Sequence, residues 1–383
     1  MKRILFYCPE PIFSSKSRSG GILRFVELYY AFEKTDDITL CCQESQESFI
    51  IHGVKSGVST RGFRRKRFLP AEFYNYMSNA RLLRMLKTQN YDEVIVFDVP
   101  QSIHLVASGF KNFTLFLRQD LIEYRRIRYQ VKENLNLLNR IKLRFLSFIE
   151  LLCIKKAKRI IVQCKYDLDG LCRRHKKYEQ RIVEKTIIQI NNVNPSWIIE
   201  KSKCNTLDLR INHSFNICFI GNFNDSRKGH WEVLGAIKLL QEYSHKLSFQ
   251  IIGDGKHLSE FKSGCSFDNV FYWGRLDNPI SILKSCDLLI VPSRADSCPN
   301  TVLEALYNQV DVLGARKGGI PEILTNENLL FELNSNELAS IIIKYITDEN
   351  FRAVLRTEES IIRQKLTFDW GNRVRELLDV KNG

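Results

Sequence analysis

The sequence predicts an α/β protein built from two doubly wound domains, and two observations carry that prediction. Short, mostly apolar, β-like runs alternate with segments whose apolar residues recur at helical spacing. The alternation runs to about residue 190, breaks in a polar stretch and restarts near residue 215. In the first half, KRILFYC, ITLCC, EVIVF, FTLFL, RIIVQC and TIIQI read as strands. Helical spacing marks ILRFVELYYAFEK and the regions 71–89, 121–156 and 165–175. INNVNPSW closes this half, and polar residues to about 214 form a linker. FNICFIG, FQIIG, NVFYWG and CDLLIVPS are the strands of the second half, with GHWEVLGAIKLL a helix after the first. The expected division is a first domain at 1–200, a second at 201–365 and an amphipathic terminal helix within 366–383.

Composition limits the classes of function. A chain of 383 residues with 44% hydrophobic residues can build two cores, and nothing in it suggests disorder. The apolar run at the N-terminus stops after five residues at Pro9 and Glu10, too short for a secretory signal, and no window is long and apolar enough for a membrane-spanning helix. Eleven cysteines without a CxxC pair predict buried free thiols in a reducing cytosol rather than a disulfide framework or a zinc site. Residues 1–200 hold 35 Lys and Arg against 20 Asp and Glu, and residues 201–383 hold 22 against 23, so the first half carries the whole positive excess. RGFRRKR at 61–67, KKAKR at 155–159 and RRHKK at 173–177 concentrate it. Such clusters attract phosphate, whether of nucleic acid, anionic lipid or a pyrophosphate-linked acceptor; the alternative is a solvated basic face.

The most informative stretch is DSCPNTVLEALYNQVDVLGARKGGIPEIL at 296–324. It follows the strand CDLLIVPS, so it lies at a strand's carboxyl end, where open α/β sheets bind ligands. Cys298 is expected to be a small loop residue. Pro299 and Asn300 start a helix, and the first-turn N–H groups of Thr301, Val302 and Leu303 suit a phosphate. Asp296 stays in the loop and Glu304 lies one turn into the helix, so the two carboxylates can meet different hydroxyl groups of one ligand. The alternative is a loop cap at Asp296 and a solvated helix residue at Glu304.

Strand, acidic residue, Pro-Asn loop, helix Glu and then GGIPEI resemble the donor-site signature of the family-4 glycosyltransferases, enzymes of GT-B fold. The family usually has Glu at both ends of its Glu-x7-Glu motif; here Asp296 takes the first place. The resemblance implies two Rossmann-like domains facing each other across a cleft, with the C-terminal helix crossing back to the first. It implies a retaining transfer from a nucleotide sugar, UDP- or GDP-linked, with no cofactor or metal. In FIGNFNDSRKGHWEVL, Lys228 and Gly229 match the family pattern and Asn222 stands where the family has Arg, so Lys228 would face the donor diphosphate with Arg227 beside it. Gly253, in IIGDGKHL, would wall the donor pocket, and Gly20 and Gly21, beside Lys16, Arg18 and Arg24, would approach the ligand. In LFLRQDLIEYRR many relatives have a His near the reacting sugar. Here Asp120 is assigned to acceptor contact and Arg118 to phosphate or carboxylate recognition, with His104 as the alternative.

Gly318, Gly319 and Glu322 resemble the donor-side turn, an arrangement in which backbone N–H groups can form an anion nest. The helical stretch 136–159 mixes apolar and basic residues and could lie on a membrane surface, although family likeness implies that such helices pack inside. The expected partners are a nucleotide sugar, a glycan or lipid-linked acceptor and an anionic membrane touched from its cytoplasmic face, without nucleic acid. The setting implied is cytoplasmic, in bacterial cell-surface polysaccharide or lipopolysaccharide assembly. Two other classes fit part of the sequence. A nucleotide-sugar-modifying enzyme of epimerase type would share the donor site, and a basic nucleic-acid-binding protein would explain the charge but not the 296–324 motif.

Overall fold

The computed structural model describes residues 1–13, 20–61, 71–129, 135–193 and 215–380. They divide into two compact units. Met1–Ile122, Leu135–Ile190 and Asp369–Gly383 form the first, and Glu123–Asn134 with Asn191–Phe368 form the second.

The first unit has a seven-stranded sheet. Its strands are β1 (Arg3–Cys8), β2 (Asp37–Cys42), β3 (Gly57–Ser59), β4 (Glu93–Phe97), β5 (Phe113–Leu117), β6 (Ala157–Val162) and β7 (Thr186–Ile188), in the order β3-β2-β1-β4-β5-β6-β7. Every pairing is parallel. A parallel sheet covered on both faces needs strands apolar on both sides, which is why runs such as EVIVF and FTLFL lack alternation. The helices Ala71–Lys87, Val99–Ala107 and Leu137–Lys156 share one core with β1, β4, β5 and β6. The sequence pattern missed β3, which is three residues long, and the Val99–Ala107 helix, which starts at a Val-Pro step. The stretch read as one helix over 121–156 is two, Leu121–Tyr129 and Leu137–Lys156.

The terminal helix Trp370–Val380 belongs to this unit and packs on the Gly20–Glu33 helix. A Cβ on Gly371 would come within 2.7 Å of the Ala31 methyl, so the two backbones approach closely. The Arg24 guanidinium lies 5.4 Å from the Trp370 ring centre, and Arg159 donates to the Leu378 carbonyl. This is the crossing back that the family resemblance implied.

The second unit repeats the plan with six strands: β8 (Phe215–Ile220), β9 (Leu247–Ile252), β10 (Val270–Gly274), β11 (Leu288–Val291), β12 (Asp311–Ala315) and β13 (Leu330–Phe331). Their order is β10-β9-β8-β11-β12-β13, again all parallel. β12 and β13 were not read from the sequence, because Gly314 interrupts one and the other has two residues. In each sheet the order reverses beside the first strand, between β1 and β4 and between β8 and β11. Those reversals are where a doubly wound sheet opens a crevice at its carboxyl edge.

Candidate active site

In the second unit the loops leaving β8, β9, β11 and β12 meet at one edge of the sheet. After β8 the chain makes a single 3-10 turn, Ser226–Lys228, opened by Asp225, whose carboxylate accepts the Arg227 N–H at 3.0 Å. Gly229 then takes φ +71, and a Cβ there would sit 1.9 Å from the Pro292 carbonyl oxygen. Only glycine fits both the backbone angle and the space. The Arg294 N–H closes the latch by donating to the Arg227 carbonyl at 2.8 Å. The β8 loop is thus tied to the residues that follow β11.

That latch sets the charges. Lys228 Nζ lies 2.6 Å from Asp296 Oδ2, and Arg227 Nη1 lies 3.6 Å from the same oxygen. All three side chains are less than one-fifth exposed. The Arg227 guanidinium also stands 5.0 Å from the centre of the Tyr124 ring, a contact the sequence did not suggest. Asp296 is held from behind: its carbonyl accepts the Gly319 N–H at 2.9 Å, and Gly318, at φ +62, leaves room where a Cβ would come within 2.5 Å of that carbonyl oxygen. A lysine ammonium has three N–H donors. With one on Asp296, two can serve oxygens of a bound anion.

The remaining second-unit candidates fall into place around this cluster. Glu304 lies in the Asn300–Asn308 helix and is 3% exposed, which rules out a solvated helix residue. Cys298 and Pro299 are buried in the loop, Asn300 and Thr301 are half-buried, and Val302 is fully buried. The Val302 N–H donates to the Pro299 carbonyl at 3.1 Å, so the three-donor helix terminus expected from the sequence loses one donor to a tight first turn. Asn222 is exposed, and its side-chain oxygen accepts the Asn224 N–H at 2.7 Å; it shapes the loop locally. Gly253, at φ +139, lies where a Cβ would be 1.8 Å from the Gly221 carbonyl oxygen, so it allows the ends of β8 and β9 to touch.

Two features near the cluster escaped sequence reading. Arg294 pairs with Glu232 on the His230–Leu239 helix, tying that helix to the loop after β11. His230, directly after the Lys-Gly step, is fully buried among Phe223, Trp231, His257 and Phe261, and neither ring nitrogen has a hydrogen-bond partner among the described residues. Burial, with His257 adding to it, lowers its pKa to about 4. The GHW triplet gave no sign of this, because a histidine at a helix start reads as a solvated residue.

In the first unit the candidates separate. Gly20 opens the Gly20–Glu33 helix, and the Arg118 guanidinium lies on Gly21, where a Cβ would be 1.6 Å from Nη1. Arg118 is fixed by Asp98, which accepts its N–H at 3.1 Å and its Nε at 2.7 Å while holding φ +62. Asp120 turns inward: Arg174 donates to it through Nη1 at 2.5 Å and to Glu150 through Nε at 3.0 Å and Nη2 at 3.1 Å, and Glu150 also binds His175. The Asp120 side chain is 6% exposed and belongs to an internal ion network. His104 is 2% exposed with Nδ1 2.9 Å from the Tyr7 hydroxyl, a core histidine.

The basic clusters behave likewise. Arg174 and His175 of RRHKK belong to that network, and Arg159 of KKAKR pairs with buried Glu93. Residues 62–67 of the third cluster, with Lys16 and Arg18, lie outside the described residues. No group of three or more metal-ligating side chains occurs among the described residues.

Comparison with known proteins agrees with this geometry. Residues 214–348 match the family model "Glycosyl transferases group 1". An uncharacterized 41.2 kDa protein in the cps region of Klebsiella pneumoniae is 32% identical over 126 residues, 32% of this chain and 34% of that protein. Among the relatives matched in sequence, the aligned stretch covers 29% to 52% of their own length. Sucrose-phosphate synthase from Thermosynechococcus elongatus superposes with a TM-score of 0.71 at 12% identity, over 99% of this chain and 98% of that one. Anabaena HepE, solved in complex with UDP-glucose, gives 0.69 at 15% identity over 99% and 100%. At such identities the structural likeness speaks for the fold. Residues 214–348 thus match the group 1 glycosyl transferases model, and the fold is of the GT-B type.

Proposed function

We propose that the protein is a glycosyltransferase that moves a sugar from a nucleotide-sugar donor to a glycan or lipid-linked glycan, with retention, in the assembly of a bacterial cell-surface polysaccharide. The observation that carries the reading is the cluster of Lys228, Arg227 and Asp296, gathered from two strand ends inside the segment that matches the family model. In a sugar transfer the charge that grows is on the departing diphosphate. Two fixed cations in a mostly buried setting stabilise that charge without reorganising. Asp296 accepts hydrogen bonds from hydroxyls of the donor sugar, and buried Glu304 from those of the ribose. The complex of Anabaena HepE with UDP-glucose supports a uridine diphosphate sugar as the donor to try first. The relative in a cps region supports the polysaccharide setting.

A nucleotide-sugar-modifying enzyme would use the same cluster but convert donor in the absence of any acceptor. The test is therefore in two steps. Thermal stability is followed against UDP, GDP, ADP and their sugars; a ligand at 100 times its Kd stabilises by about 2.7 kcal/mol. Products are then analysed with and without a glycan acceptor. Turnover that needs the acceptor supports the transferase, isomerised donor without acceptor supports the alternative, and no stabilisation by any nucleotide overturns both.

A further inference from the structure

The Leu137–Lys156 helix has two apolar faces, and the unit uses one of them. At 3.6 residues per turn, Glu150, Cys153 and Ile154 fall together, and all three are buried on the core side. Leu137, Leu138, Ile141, Phe145 and Phe148 fall on the opposite side, within an arc of about 100°. They are 74%, 60%, 54%, 60% and 56% exposed. Together they present roughly 500–600 Å² of side chain, at the top of the range for the largest apolar patch on a monomer.

Charge decides what this face fits. Arg140 and Arg144 border the stripe on one side and Lys142 on the other, all exposed. The helix has one acidic residue, Glu150, and it is buried against Arg174 and His175. The next layer continues the pattern. The Val99–Ala107 helix packs against both this helix and Ala71–Lys87, so the three lie side by side over the sheet. On Ala71–Lys87, Met77 and Met85 are 61% and 51% exposed, among exposed Arg81, Arg84 and Lys87. A second copy of the chain docked here would set cations against cations. A bilayer with anionic headgroups suits both parts of the face: the apolar stripe enters the boundary between headgroups and acyl chains, and the flanking cations meet lipid phosphates.

We infer that this face seats the protein on an anionic lipid bilayer, with the Leu137–Lys156 helix lying along the surface. The inference is independent of the transferase reading, since it concerns lipid and not donor. The full chain is co-sedimented with vesicles of phosphatidylcholine alone and with vesicles of phosphatidylcholine and phosphatidylglycerol in a two-to-one ratio. The parent should sediment with the anionic vesicles and remain largely free with the neutral ones. The double variants Phe145→Ser/Phe148→Ser and Arg140→Gln/Arg144→Gln should each bind the anionic vesicles at least roughly tenfold more weakly, the charge pair at about 1 kcal/mol per cation. Phe145→Leu should bind as the parent does. All these positions are exposed, so melting temperatures should match the parent and show that lost binding is not lost folding. Absence of parent binding, or equal binding by the Phe145→Ser/Phe148→Ser variant, overturns the inference. So does a lipid-free dimer in sedimentation velocity that the same variant abolishes, because the face would then be covered by a second copy.

Discussion

Replacing Lys228 by alanine removes the cation 2.6 Å from Asp296 and leaves that carboxylate with Arg227 at 3.6 Å. Two effects separate. In the free protein the pair is partly buried, between the surface ion pairs that contribute less than about 1 kcal/mol and the fully buried ones whose disruption costs about 3–5 kcal/mol. With Arg227 still near the carboxylate, the expected loss of stability is about 1–2 kcal/mol. In the reaction the variant lacks a charge-assisted donor to the leaving diphosphate, a bond of about 1.5–3 kcal/mol. At about 1.4 kcal/mol per tenfold, kcat/KM should fall by roughly 10- to 150-fold. Initial rates with the donor found by the nucleotide screen measure the second effect, and thermal unfolding without ligand measures the first. Asp296→Ala should also slow transfer, and the double variant should lose less than the two single losses combined, because the residues share one contact. A Lys228→Ala protein that unfolds normally and keeps kcat/KM within about threefold of the parent would refute the reasoning, because that change lies below the loss of even a weak charged hydrogen bond.

The other predictions concern the scaffold of the site and its response to pH. Gly229→Ala should lower the melting temperature by many degrees and abolish nucleotide binding, since its Cβ would meet the Pro292 carbonyl oxygen at 1.9 Å on a left-handed backbone; differential scanning fluorimetry with and without nucleotide reads both. His230 stays neutral in the folded protein down to about pH 4, while the unfolded chain takes its proton near 6.5. Its contribution is therefore present above pH 6.5 and lost as pH falls toward 4, about 3 kcal/mol in all. Denaturant midpoints at a series of pH values should show that slope, and His230→Phe should flatten it. Glu359 is the opposite case: burial, with Asp311 nearby, raises its pKa to about 9, so the folded state keeps the proton. That contribution is full below 4.5 and lost as pH rises through 9. Glu359→Gln, which keeps the acceptor for the Val312 N–H, should gain several degrees of melting temperature over the parent at pH 8 and little at pH 5.

How much of this was legible in the sequence depends on whether a feature is local. The buried strands were legible because a mostly apolar run such as EVIVF or FTLFL suits a strand in a sheet covered on both sides. The 296–324 motif was legible for the same reason, since strand, loop, carboxylate and helix follow one another without a gap. The ion pair of Asp120 was not legible because its partner Arg174 stands 54 residues away, and nothing around Asp120 announces that contact. Arg118 is similar: the position was marked, but Asp98, which fixes its direction, is 20 residues earlier in a turn with positive φ that no run of residues announces.

The Leu137–Lys156 helix shows the limit most clearly. Its mixture of apolar and basic residues left a membrane surface as one reading, and family likeness argued that such helices pack inside. The structure puts Glu150, the one acidic residue, inside with Arg174 and His175 and leaves two phenylalanines outside. Hydropathy orders those residues the other way, because it counts a carboxylate as polar whether or not an arginine awaits it. A buried ion network built from distant residues therefore frees an apolar face for the surface.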